Sequence, residues 1–119
     1  MVVSREIGMK LKAAGFIEPC DYTYKPSHPE PIRGGVCEER NENYKMFSGY
    51  EGCCDAPEKG DVFAWFRGKG IIGAIHVLSK KYSFLIFTND RYEGFVGKDF
   101  DTWEQAEDAC IEEMIKLIQ

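Results

Sequence analysis

Phe100-Asp-Thr-Trp-Glu-Gln-Ala-Glu-Asp-Ala-Cys-Ile-Glu-Glu-Met-Ile-Lys-Leu-Ile118 combines a helix start, a helical apolar period and an acidic outer face. Thr102 and Gln105 have the three-residue spacing of a capping box, and Trp103, Ala106, Cys110, Met114 and Leu117 then recur at helical intervals. The stretch predicts a helix over 102–118, one side of which must be covered. Glu107 is the one charged residue well inside the apolar arc. The macrodipole stabilises a carboxylate near a helix start by about 0.3–1 kcal/mol, which accounts for it without further function. The functional alternative is a carboxylate lining a pocket beneath the helix.

Working back along the chain, Ile71-Ile-Gly-Ala-Ile-His-Val-Leu78 and Tyr82-Ser-Phe-Leu-Ile-Phe-Thr88 are β-branched and aromatic runs separated by Ser79-Lys80-Lys81, the pattern of an antiparallel hairpin. Both faces are apolar: Tyr82, Phe84 and Ile86 lie on one, Leu85 and Phe87 on the other. A sheet with one covered face alternates more cleanly. The second face is therefore expected either to lie under the Pro19–Pro57 region or to meet another subunit. Asn89-Asp90 reads as a turn, followed by a short strand through Phe95-Val96. Before the hairpin, Pro57 suits the first position of a helix whose apolar face is Val62, Phe63, Trp65 and Phe66 and which ends near Gly68 or Gly70. Gly60 inside it costs about 1 kcal/mol relative to alanine, so this helix must be packed.

At the N-terminus Ser4 can cap a short helix with the stripe Ile7, Leu11 and Ala14, stopped by a left-handed Gly15 with Phe16 following. From Pro19 to Pro57 the composition turns to Pro, Gly, Tyr and charge, with strands expected at Asp21–Lys25 and Tyr44–Tyr50. These elements make one α+β domain over 1–119. Its antiparallel sheet centres on the 71–88 hairpin, with helices near 4–14, 57–67 and 102–118, the last two packed on one face and the first docked alongside.

Composition sets the bounds on function. The 119 residues fit one modest core, and 13% aromatic with 29% charged residues is the composition of a globular chain. Fifteen Lys and Arg against twenty Asp and Glu leave a net charge of −5, which disfavours nucleic acid and anionic lipid as main partners. The N-terminus lacks the continuous apolar run of a secretory signal, and no stretch is long enough to span a membrane, so a cytoplasmic location is expected. The five cysteines, an odd number, are then thiols acting as small apolar fillers.

Reactive constellations are few. Cys20, Cys37, Cys53, Cys54, His28 and His76 are the conceivable zinc ligands, but zinc sites pair ligands two to four residues apart, and no Cys-x-x-Cys is present. A Cys53 or Cys54 nucleophile with His76 as base is the conceivable catalytic pair. Against it, His76 shares a strand face with Ile72, Ala74 and Leu78, where a core or rim role is the ordinary one. No catalytic, cofactor-binding or metal-ligating residue is assigned, and no cofactor is implied. The αβββα order from Pro57 onward is also that of double-stranded RNA-binding domains. Their final helix starts with lysines, whereas Asp101, Thr102, Trp103 and Glu104 stand here. A basic stripe of Arg33, Arg40, Lys45, Lys80, Lys81 and Arg91 is what a nucleic-acid-binding module would need.

Three stretches together resemble a group of small α+β proteins of gut Bacteroidetes and their phages and mobile elements. They are Met9-Lys-Leu-Lys-Ala-Ala-Gly-Phe-Ile-Glu-Pro-Cys20, Ala56-Pro57 leading into Phe63-Ala-Trp-Phe-Arg-Gly-Lys-Gly-Ile71, and Phe100-Asp-Thr-Trp-Glu-Gln-Ala-Glu107. Glu58 departs from that group's threonine, and Phe66 from its leucine before Arg67. The resemblance implies a host context and carries no catalytic residue across. The expected function is a small non-enzymatic protein of a phage or mobile element that binds another protein or itself. A nucleic-acid-binding module is the alternative.

Overall fold

In the computed structural model, which describes residues 1–16, 18, 20–26, 28–33, 53–88 and 99–118, Ser4 caps α1 (Arg5–Ala13) from an extended conformation. Its Oγ accepts the Ile7 N–H at 3.3 Å, and Ile7, Gly8 and Leu11 form the buried face. Gly15 has φ 96°, the Phe16 N–H reaches the Leu11 carbonyl at 2.9 Å, and the Gly15 N–H reaches Lys12 at 3.1 Å. These two bonds are a Schellman stop, sealed by the buried pair Leu11 and Phe16.

The chain falls into two units, Met1–Lys59 and Gly60–Gln119. In the first, β1 (Tyr22–Tyr24) is the centre of an antiparallel sheet of order β2-β1-β3, with β2 (Ile32–Arg33) and β3 (Cys54–Asp55) at its sides. Tyr24, Cys54 and Ala56 form its core with Val2 and Tyr22 against them, and the Tyr24 hydroxyl donates to the Val3 carbonyl at 2.8 Å. Gly8 lets α1 lie directly on β3, since a Cβ there would stand 2.8 Å from the Asp55 carbonyl oxygen and 2.9 Å from Cys54 Sγ. The strand expected at 21–25 is present. Those expected at 44–50 and 95–96, and the turn at 89–90, lie outside the described residues.

The helix expected from Pro57 starts later. Val2 bridges Glu58, the Val3 N–H donates to the Pro57 carbonyl at 2.9 Å, and the Lys59 N–H donates to Met1 at 3.0 Å. This pairing keeps Pro57 and Glu58 out of the helix, so α2 runs Lys59–Gly68 and Gly60 is its second residue. There glycine costs nearer 0.5 kcal/mol than the interior value. A second Schellman stop ends α2, with Gly70 at φ 82° and the Ile71 N–H on the Phe66 carbonyl at 2.9 Å.

In the second unit β4 (Ile72–Leu78) and β5 (Lys81–Phe87) pair antiparallel from Ile72↔Phe87 to Leu78↔Lys81. Lys81 is in the ladder, so the loop is Ser79-Lys80 alone, one residue shorter than the sequence suggests, and Ser79 takes φ 57°. Phe100 bridges Tyr82 and leads into α3 (Trp103–Ile118). The capping box is formed: the Gln105 N–H donates to Thr102 Oγ1 at 3.1 Å, and Gln105 Oε1 accepts from the Thr102 N–H at 3.2 Å.

Gly73, Ile75, Phe84 and Ile86 make the inner face of the hairpin. A Cβ on Gly73 would meet Cys110 Sγ at 2.7 Å, Met114 Sδ at 2.8 Å and Phe63 Cε1 at 2.9 Å, which puts α2 and α3 on the same face of the sheet, as the α+β expectation has it. The buried side of α3 is Ala106, Cys110, Ile111, Met114 and Ile115. Trp103 and Leu117, expected on the stripe, are both 44% exposed, because they lie at the helix ends while the buried arc turns toward Ile111 and Ile115.

Candidate functional site

The period-2 geometry of β4 and β5 puts Ile72, Ala74, His76 and Leu78 of one strand and Lys81, Ser83, Leu85 and Phe87 of the other on the hairpin's outer face. Ile72 is 46% exposed, Leu78 48% and Phe87 38%. Its one formal charge, Lys81, is ion-paired with Asp101, and this hydrogen bond holds the Lys81 ammonium above its usual pKa. Ser83 in the middle of this face is buried and Leu85 half-buried, so the exposed apolar side chains lie toward its two ends; such exposed apolar surface is a means of binding protein.

On the inner side lies a groove of about 310 Å³ lined by Gly60, Phe63, Arg67, Gly73, Ile75, Trp103 and Glu107. Gly60, Phe63 and Arg67 recur along one side of α2, Trp103 and Glu107 are one helical turn apart on α3, and Gly73 and Ile75 are the floor. The Trp103 ring stands edge-to-face with Tyr82 at 6.1 Å between centroids. Glu107, half-buried, is thus placed where the pocket alternative to a purely capping role has it.

The thiols are placed as fillers. Cys20, Cys53, Cys54 and Cys110 are buried free cysteines, and Cys37 lies outside the described residues. Burial pushes the Cys54 thiol up to about 11, with Arg5 opposing, and burial with the Glu107 charge pushes Cys110 up to about 12. Both stay protonated at neutral pH in the metal-free chain, unlike the low-pKa thiolate of a nucleophilic cysteine. Cys53 and Cys54 belong to the first unit; His76 is exposed on β4 of the second. Among the described residues no group of three His, Cys, Asp or Glu is arranged to hold a metal ion. His28 is exposed, and its carbonyl accepts from the Arg5 guanidinium.

Of the basic residues, Lys80 and Lys81 stand at the hairpin tip, Arg33 is in β2, and Arg40, Lys45 and Arg91 lie outside the described residues. The start of α3 is acidic, with Asp101 engaged by Lys81. No helix among the described residues is long and apolar enough to cross a membrane.

The groove was legible in part. Glu107 stands out in the sequence as a charge in an apolar arc, whereas Phe63 and Trp103 read as core residues, and nothing in the spacing places Arg67 opposite Glu107. Compared with family models, curated proteins and solved structures, the chain matches none.

Proposed function

We propose that this chain is a non-enzymatic protein-interaction module that binds through the outer face of the β4–β5 hairpin, with a second copy of itself as the first partner its chemistry fits. The observation that supports this is the exposure of Ile72, Leu78 and Phe87 on one sheet face. Two such faces laid antiparallel oppose no like charges, because Lys81 sits at one end and carries its own counterion. The phage or mobile-element setting rests on the sequence resemblance.

Two seven-residue strands present a face of roughly 23 Å by 10 Å, or about 230 Å². A standard interface takes about 800 Å² per partner, so association through this face alone is weak and reversible. Sedimentation velocity from about 10 µM to 1 mM covers the affinities expected of so small a face. The sedimentation coefficient should rise with concentration for the natural chain and stay flat for an Ile72→Lys/Phe87→Lys variant with unchanged circular dichroism. A natural chain that stays strictly monomeric at the top of that range sinks the self-association reading.

A further inference from the structure

We infer that the groove between α2 and α3 is a binding site for a small aromatic carboxylate, separate in location and chemistry from the outer face of the hairpin. Its volume of about 310 Å³ lies at the small end of ligand sites, room for one ring-bearing molecule. Phe63, Ile75 and Trp103 supply an apolar and aromatic wall, and Trp103 leaves 44% of its surface to solvent beside that space.

Gly60 is the second observation. Its φ is ordinary and a Cβ there would meet nothing within 4 Å, so neither backbone conformation nor packing calls for glycine. Gly60 is exposed and lines the groove, so this stretch of its rim carries no side chain. Arg67 sets the ligand class. Its planar fork matches a carboxylate bidentately, and among the described residues no ion pair or hydrogen bond engages it. Glu107 sets the limit on charge. Its carboxylate opposes a phosphate-type dianion far more than a monoanion whose ring lies along the apolar wall.

The test is an amide and indole NMR titration of the full chain with phenylacetate, with benzyl alcohol and inorganic phosphate as comparison probes. Phenylacetate should give saturable shifts at Gly60, Gly73 and the Trp103 indole with a Kd of about 1 mM, as ten heavy atoms allow. Benzyl alcohol, which has the ring without the charge, should bind about tenfold more weakly. Inorganic phosphate should leave these resonances unmoved. Arg67→Gln should reduce phenylacetate to the level of benzyl alcohol while its spectrum stays dispersed; Gly60→Leu, which adds a side chain at the rim with nothing within 4 Å of its Cβ, should weaken both. The inference is overturned by shifts that do not saturate, by equal binding of the acid and the alcohol, by phosphate competing for the same resonances, or by phenylacetate binding that is unchanged in Arg67→Gln.

Discussion

Replacing Gly8 by alanine sets two opposing effects against each other, and the structure decides between them. In the interior of α1 alanine is favoured over glycine by about 1 kcal/mol. The new Cβ, however, would stand 2.8 Å from the Asp55 carbonyl oxygen and 2.9 Å from Cys54 Sγ. The oxygen belongs to the β3 backbone and cannot rotate away, so α1 must lift from the strand, and overpacking of this kind costs up to about 3 kcal/mol. The net loss is about 2 kcal/mol. Gly60→Ala is the matched control, a helical glycine with nothing within 4 Å of its Cβ, and should gain about 0.5 kcal/mol. For 119 residues about 4 °C of Tm corresponds to 1 kcal/mol, so thermal melts should show Gly8→Ala down by about 8 °C and Gly60→Ala up by about 2 °C. A Gly8→Ala protein as stable as the natural one would refute the close seating of α1 on β3.

The buried thiols predict a pH dependence. A folded-state pKa of about 11 for Cys54 and about 12 for Cys110, against 9.0 for the free thiol, means that the unfolded chain releases these protons first, so stability is full below about pH 9 and falls as pH rises toward 11–12; Tm measured between pH 7 and 11 should decline only above pH 9. A thiol reagent at pH 8 should label Cys54 and Cys110 only after denaturation. Ser79→Gly relieves a positive φ at the first residue of a two-residue loop and should raise stability by about 0.5–1 kcal/mol in a denaturant titration. Thr102→Ala removes the acceptor of the Gln105 N–H and should cost about 1 kcal/mol, seen as fraying of the first turn of α3 in hydrogen exchange.

Where the sequence carries a period together with a stop signal, element and boundary were both legible. Ser4 with Gly15, and Thr102 with Gln105, are local chemistry whose partners lie within a few residues, and each is found as the spacing implies. Where the deciding partner is distant, the element is found but its boundary moves. Pro57 has every local mark of a first helical position, but its carbonyl is taken by Val3, more than fifty residues away, and the helix waits until Lys59. The strands at 32–33 and 54–55 are two residues each, too short to carry any alternation.

The hairpin explains why the site was harder to see than the fold. Its period makes both faces apolar and leaves the second to the Pro19–Pro57 region or another subunit, without saying which residues of either face stay exposed. On the inner face Gly73 lets Cys110, Met114 and Phe63 come close, and a groove lined by Gly60, Arg67, Trp103 and Glu107 adjoins them. On the outer face Ile72, Leu78 and Phe87 are exposed about a buried Ser83, and on the inner face Val77 is exposed near the hairpin tip. Gly73 thus separates what periodicity alone makes equivalent, by bringing both helices down onto one face of the sheet. This role does not follow from glycine's flexibility, since its φ is in the range that any residue adopts. It follows from the missing Cβ, which a sequence pattern shows and whose neighbours only the fold supplies.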